Sequence, residues 1–421
     1  MKNAAQVVAV CDKGELFLVG REMENVVIYK EASLVVDENG RIAAVGPALD
    51  IAERFPEHLF ELVIDATGKS VVPGLVDGHT HPVWAGDRVH EFALKLSGAT
   101  YMEIHAQGGG IHFTVEHTTR ASEDELLASL RSRLHQSIRH GTTLLEAKSG
   151  YGLALETEMK MLRVLHQASQ LTEVPGQELP EIVSTYLAAH AVPKGNSAEE
   201  AAEDIVKNQL PALQALQAKG EISPTNIDVF LEKGVFGREE TRRILQAGVE
   251  AGLQINFHGD EINPMQSGEL AGELKALAVS HLERVSEEGM KSMAIRPTFA
   301  VLLPTTAYIL RLEPPPARAL IEHQVPVALG SDFNPNAFCI SMPLVMNMAC
   351  VILKLSLNEA LVASTINAAG SLNKSADHGS LEVGKWGNCV IIDAPRWEHL
   401  IYQMGEPPIS AIIHRGRPIS P

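Results

Sequence analysis

The chain has 421 residues, 45% hydrophobic and 21% charged, an ordinary balance for a soluble globular protein with room for a large core. Acidic residues outnumber basic ones by 52 to 35, a formal net charge of -17, so nucleic acid phosphates and anionic membranes are repelled and neither is an expected partner. Four cysteines (Cys11, Cys339, Cys350, Cys389) with no CxxC pair speak against a disulfide framework or a thiolate zinc site. No stretch has the apolar length of a signal peptide core or a membrane span, and a cytoplasmic location is expected.

Short strands open the chain. Residues 26–29 (VVIY), 33–36 (SLVV) and 42–45 (IAAV) are apolar runs separated by polar and Gly punctuation such as Glu38-Asn39-Gly40. The middle alternates short apolar strands with long helical segments. Eight strands are predicted, at 71–76, 142–145, 182–187, 227–231, 253–257, 276–280, 298–302 and 325–329. Helices are predicted between them, among others at 123–139, 156–169, 198–216 and 239–251. Eight such units predict an α/β fold, a (β/α)8 TIM barrel. A doubly wound sheet is the alternative, weakened because no GxGxxG follows the first strand. Strand texture returns at 389–392 and 409–413. The two flanking segments are each too short to bury their own apolar faces. They are expected to pair into a small β-sandwich domain, residues 1–72 plus 378–421, beside a hydrolase barrel at 73–377.

In such barrels chemistry sits at the carboxyl ends of the strands. Strand one runs into Asp77, His79 and His81, strand two into Glu146 and Lys148, and strand three into His190. Strand four is followed by Glu232, strand five by His258 and Glu261, strand six by His281 and strand eight by Asp332. Strand seven runs into Leu303-Pro304-Thr305 and offers least. A lone histidine is as often a satisfied core residue as a ligand; the shared position on successive strands is what points to function. His79 and His81 are two apart in extended backbone, so both side chains face one way and can reach one ion. His258 is the best third ligand from across the barrel, and Asp332 closes the set. Three imidazoles and a carboxylate suit zinc or iron with a position open for water.

The strand PGLVDGHTH (73–81), the mid-chain His258 and the late Asp332 resemble the amidohydrolase superfamily. Further strings are similar to its imidazolonepropionase family over nearly the whole chain. They are PVWAGDR (82–88), HEF (90–92), GATYMEI (98–104), GGGI (108–111), KSGYGL (148–153), HGDE (258–261) and DFNP (332–335). The resemblance implies His79, His81, His258 and Asp332 as ligands of one Zn(II) or Fe(III) ion per subunit, and a homodimer. It implies substrate contacts at Arg88, Tyr151, His190, Glu261 and Asn334, with Tyr101 a further candidate. Where relatives are expected to carry Gly and a hydroxyl residue after Asn-Pro, this chain has Asn336 and Ala337. Position 337 therefore offers no side-chain hydrogen bond, and Asn336 joins the substrate-contacting candidates.

The implied reaction is hydrolysis of the ring amide of 4-imidazolone-5-propanoate to N-formimino-L-glutamate, in histidine degradation. Water activated on the metal would attack the ring carbonyl, since a metal lowers the pKa of water from about 15.7 to about 7. Asp332 or Glu261 would take the proton and return it to the ring nitrogen. His281 or His190 would polarise the carbonyl or orient the water. Arg88 would clamp the propionate carboxylate bidentately, with Tyr101 and Tyr151 as hydroxyl donors. Lys148 stands where some relatives use a carboxylated lysine between two metals; with no second ligand set, one metal and a hydrogen-bonding Lys148 are expected. Gly108–Gly110 reads as a substrate lid against the plainer reading of a flexible loop. The rival readings are a deaminase of the same superfamily acting on a cyclic amidine or purine, and an inactive scaffold relative.

Overall fold

The computed structural model of the chain describes residues 1–98, 109–171 and 179–419. In chain order the strands begin with β1 (Ala4–Val10), β2 (Val27–Val36), β3 (Ile42–Pro47) and β4 (Ser70–Pro73). The middle strands are β5 (Leu75–Asp77), β6 (Thr142–Lys148), β7 (Glu181–Ala189), β8 (Asn226–Leu231), β9 (Gln254–Gly259), β10 (Ala278–His281), β11 (Phe299–Leu302) and β12 (Val327–Leu329). The last are β13 (Cys389–Ile392), β14 (Ile409–His414) and β15 (Arg417–Ile419).

Strands β5 to β12 form one parallel sheet in sequential order, the wall of a (β/α)8 barrel. Its first and last strands are drawn together just beyond their ends. Gly78 N donates to Leu329 O (3.1 Å), Asp332 N to His79 O (3.0 Å) and His81 N to Phe333 O (2.9 Å). The seam of the barrel is thus sewn by the segments that carry His79, His81 and Asp332.

The termini pair as expected. The second sheet runs β15-β14-β13-β4-β1-β2-β3, so that β13 from the C-terminal part lies antiparallel beside β4 from the N-terminal part. Both faces of its central strands are buried, and the side chains alternate between two cores. Val8, Val72, Val390 and Ile392 join the large cluster shared with the barrel. Val7, Val71, Cys389 and Ile391 join a smaller cluster on the far face. A strand buried on both sides reads as a continuous apolar run, which is why 389–392 is CVII.

Four predicted elements are corrected. The single strand expected at 71–76 is two strands that belong to different sheets, separated by Gly74. At this corner the backbone changes partner, Gly74 N donating to Asn388 O (2.8 Å) and Leu75 N to Gly141 O (2.9 Å). Only glycine fits there, since a Cβ would stand 2.2 Å from Thr143 Oγ1. The runs at 26–29 and 33–36 are one strand, β2, with Glu31 at φ 47° in its middle. The helix expected at 198–216 is interrupted by a π turn, Ile205–Gln209. Buried Gln209 there accepts from Tyr186 Oη (2.9 Å) and donates to Leu153 O (3.1 Å), which fixes the loop after β6. By contrast Glu123–Arg139 is helical as predicted, started by a capping box of Ser122 and Glu125.

At the amino end of β7, Glu181 ties the two units together. Its carboxylate takes Lys374 Nζ at 3.2 Å, Arg415 Nη2 at 3.1 Å and His378 Nε2 at 3.3 Å. Burial works against the charge, but His378 and Lys374 outweigh it and hold the carboxyl well below its ordinary 4.5. Glu181→Gln is expected to cost about 2–3 kcal/mol in urea denaturation at neutral pH. Because the folded-state pKa is depressed, that contribution is complete above the ordinary value and is lost as pH falls through the folded one. The gap between the two proteins should persist at about pH 5.5 and shrink only below about 4.5.

Candidate active site

The candidate metal ligands lie at or just beyond the carboxyl ends of β5, β9 and β12, and all of them are buried. Beyond β5, the extended stretch 79–81 turns His79 and His81 inward while Thr80 faces the wall and donates to Glu146 O (2.5 Å). His258, within β9, reaches them from across the axis. His79 Nε2 and His81 Nε2 are 3.2 Å apart, and His258 Nε2 is 3.3 Å from His81 Nε2. Asp332 Oδ1 lies 3.5 Å from the Nε2 of both His79 and His81. The four candidate ligands expected from the sequence therefore converge.

The other polar atoms of His79, His258 and Asp332 are occupied, and this sets where their lone pairs point. His79 Nδ1 meets Ser280 Oγ at 2.7 Å, and His258 Nδ1 meets Asp228 Oδ1 at 2.9 Å. With Nδ1–H donated to the Asp228 carboxylate, His258 keeps its lone pair on Nε2. Thr306 Oγ1 donates to Asp332 Oδ2, leaving Oδ1 for the centre. Asp77 accepts from Ser331 N (2.8 Å) and Ser331 Oγ (2.5 Å), which anchors the backbone carrying Asp332. Burial, reinforced by Lys148 beside His79 and His258 and by the other imidazoles around His81, holds all three histidines well below 6.5 and neutral. Three close groups overlap here, His79 with His81 and Asp332, His81 with His190 and His258, and His79 with His258 and His281, and such donors fit a divalent metal ion.

Beside this cluster stand Glu261 and His281, with His281 Nε2 3.6 Å from Glu261 Oε2 and His281 Nδ1 3.9 Å from Glu283 Oε2. Burial, with Glu283 and Asp332 adding to it, pushes Glu261 up to about 8. Burial opposes a charged His281, yet the Glu261 and Glu283 carboxylates outweigh it and raise the imidazole to about 10. Glu232 fixes the loop that carries Glu261 by accepting Ile262 N (3.0 Å) and Asn263 Nδ2 (2.7 Å). His190 stacks on His81, 4.8 Å between centroids, with its Nδ1 3.0 Å from Gly150 O. Burial brings His190 down to about 4. Tyr151 sits in the adjoining turn, which Glu158 holds by accepting Gly152 N (2.7 Å) and Leu153 N (2.8 Å).

The cavity over the cluster is lined by Arg88, Tyr151, Glu261, His281, Asn334 and Asn336, among others. Buried Arg88 gives Nε and Nη2 to Glu91 Oε2, at 2.9 and 2.7 Å, and Glu91 Oε1 in turn accepts Gly110 N at 2.8 Å. Asn334 spends its carboxamide on its own loop, donating to Asp332 O (2.7 Å) and accepting Asn336 N (2.7 Å) and Ala337 N (3.1 Å). Asn336 Oδ1 receives Lys95 Nζ. Tyr101 and Gly108 of the expected lid lie outside the described residues. A larger cavity in the terminal sheet is lined mainly by apolar side chains such as Val35, Ile51, Phe55 and Phe60 and holds no histidine cluster.

Some working residues escape the sequence reading. Strand seven, expected to offer least, supplies Thr306 to Asp332, while Thr305 Oγ1 donates to Ser331 O (2.5 Å). Asp228 lies inside a strand, N-I-D-V-F-L, where a carboxylate in a buried apolar run is the available signal. Glu158 and Glu91 sit on helices, where an acidic residue is ordinarily a solvated one.

A family model described as the amidohydrolase family matches residues 104–407. The chain is 60% identical over 416 residues to a probable imidazolonepropionase of Dictyostelium discoideum, covering 99% of this chain and 96% of that one. It is 59% identical over 405 residues to a probable imidazolonepropionase of Danio rerio, covering 96% and 92%. Among solved structures, a zinc-bound adenosine deaminase from Xanthomonas campestris superposes with a TM-score of 0.69 at 17% identity, covering 99% of this chain and 91% of that one, and shares the fold. Matched by the family model over most of its length, and by named members over nearly all of it, the chain belongs to the amidohydrolase family and groups with its imidazolonepropionases.

Proposed function

We propose that this chain hydrolyses the ring amide C–N bond of 4-imidazolone-5-propanoate to N-formimino-L-glutamate, with His79, His81, His258 and Asp332 holding one zinc or iron ion. The observation that carries this reading is the convergence of three neutral imidazoles and a carboxylate beside Glu261 and His281, in the same cavity as Arg88. An ion bound there supplies Lewis acidity, polarising water and carbonyl.

The side chains divide the remaining work. Asp332 has Oδ2 on Thr306 and Oδ1 toward the imidazoles, so Glu261 is left as the proton carrier between the attacking water and the departing ring nitrogen. His281, flanked by Glu261 and Glu283, is the donor for the oxyanion that develops on the carbonyl oxygen. His190 has its Nδ1–H on Gly150 O, so its Nε2 is an acceptor and suits a ring N–H of the substrate rather than an oxyanion. Arg88 meets the propionate with the edge that Glu91 leaves open, Nη1 and the second N–H of Nη2. No helix among the described residues is long and apolar enough to cross a membrane.

The test follows freshly generated imidazolonepropionate by ultraviolet absorbance. Chelation should abolish its loss and a divalent ion restore it, while His258→Ala should bind no metal and show no turnover. Substrate untouched by fully loaded protein, with purines or cyclic amidines consumed instead, would transfer the reading to a deaminase. Arg88→Met should raise KM about 10–100-fold with a smaller effect on kcat, the loss of a charged hydrogen bond to a non-reacting group; unchanged KM removes Arg88 from the carboxylate. Glu261→Gln should leave metal content intact and lower kcat about 10²–10⁴-fold, and wild-type kcat would move the proton transfer to another residue.

A further inference from the structure

Lys148 closes β6, and none of its side chain is exposed to water. Its Nζ lies 2.7 Å from Asp228 Oδ2 and 2.8 Å from Glu146 Oε2. Neither carboxylate serves the lysine alone. Asp228 Oδ1 takes His258 Nδ1 at 2.9 Å and the His258 backbone N–H at 3.0 Å. Glu146 Oε2 lies 3.9 Å from His79 Nδ1, and its Oε1 is pinned by Thr185 Oγ1 at 2.6 Å. One ammonium thus joins the two carboxylates that stand behind two different imidazoles of the candidate metal centre.

One carboxylate balances the charge of one ammonium, whereas here two share it and each stands behind an imidazole. Two carboxylates meeting at a single buried point repel each other, and without the cation they are driven apart. That movement frees His258 from Asp228 and takes away the charge behind His79, whose Nδ1 stays on Ser280 Oγ. The ammonium also sets the charge. Two carboxylates and one ammonium leave one negative charge behind the imidazoles, and Asp332 adds a second in front, which together match a divalent ion. Carboxylation of Lys148 would instead gather three negative charges with no cation among them, so the same two contacts keep its amine from bridging a pair of metals.

We infer that Lys148 is a positioning residue for the metal centre, a clamp on Asp228 and Glu146 that aims the Nε2 lone pair of His258 and fixes the charge behind His79. This rests on the ligand set proposed above. Removing the clamp should therefore change the ion's affinity and coordination before it changes the barrel.

The experiment compares the wild type with Lys148→Met and with the double variant Lys148→Met/Glu146→Gln. The double variant keeps the net charge and one of the two carboxylates, and stands in where the single one fails to fold. Each apoprotein is titrated with Co(II) against a competing chelator, and the visible d–d bands are recorded beside a thermal melt. The inference expects a folded variant to bind Co(II) about 10–100-fold more weakly, with d–d bands shifted in position and intensity. A folded variant with wild-type affinity and wild-type bands overturns it and makes Lys148 a core ion pair. A wild type that takes up no stoichiometric Co(II) overturns the ligand set itself, and the inference with it; that outcome is distinguished by the wild-type arm alone.

Discussion

Charges held away from water must be met by other charges or by hydrogen bonds, and the axis of this barrel is organised around that demand. Glu146, Lys148, Asp228 and Asp332 are all buried there among the histidines. Parallel pairing sets which strand neighbours they can reach. Lys148 stands opposite Thr185, Thr185 opposite Asn226, and Phe230 opposite His258. Thr185, Glu146, Lys148, Asp228 and His258 consequently form one hydrogen-bonded and ionic line across four neighbouring strands. A slip of one residue in any of those strands would turn its member to the outer face and leave its partner buried and uncompensated.

The loops around the site follow the same rule at shorter range. Each is irregular backbone that cannot satisfy itself, and each is held by one buried or half-buried polar side chain. Glu158 gathers the amides of the Tyr151 turn, and Glu232 those behind Glu261. Arg133 takes the carbonyls of Pro82 and Trp84, at 2.8 and 3.1 Å, and lays its guanidinium 3.5 Å from the centre of the Trp84 ring. Glu91 joins Arg88 to Gly110. Arg88 apart, the loops are thereby held by residues other than those that touch substrate in the proposed reading.

Much of this is legible in the amino-acid sequence. The eightfold alternation and the strand-end histidines and carboxylates follow from local periodicity, and His79 and His81 converge because a spacing of two in extended chain permits little else. The features that escape it share one character: they depend on who stands opposite. Asp228 matters because His258 is on the next strand, and Thr306 because Asp332 is. The run at 71–76 reads as one strand because its apolar pattern is unbroken; only the two sheets on either side of Gly74 reveal that it changes partner there.

Periodicity and motif spacing are properties of the chain alone, and they suffice for the architecture, the family and the set of side chains available at the barrel mouth. How those side chains are committed is settled by the packed fold. Folding turns the Arg88 fork partly onto Glu91, spends Asn334 on its own loop, and places Lys148 between two carboxylates rather than toward an ion. Those outcomes turn on contacts between residues distant in sequence or on the detailed course of a loop, and neither is written in the local pattern that a sequence displays.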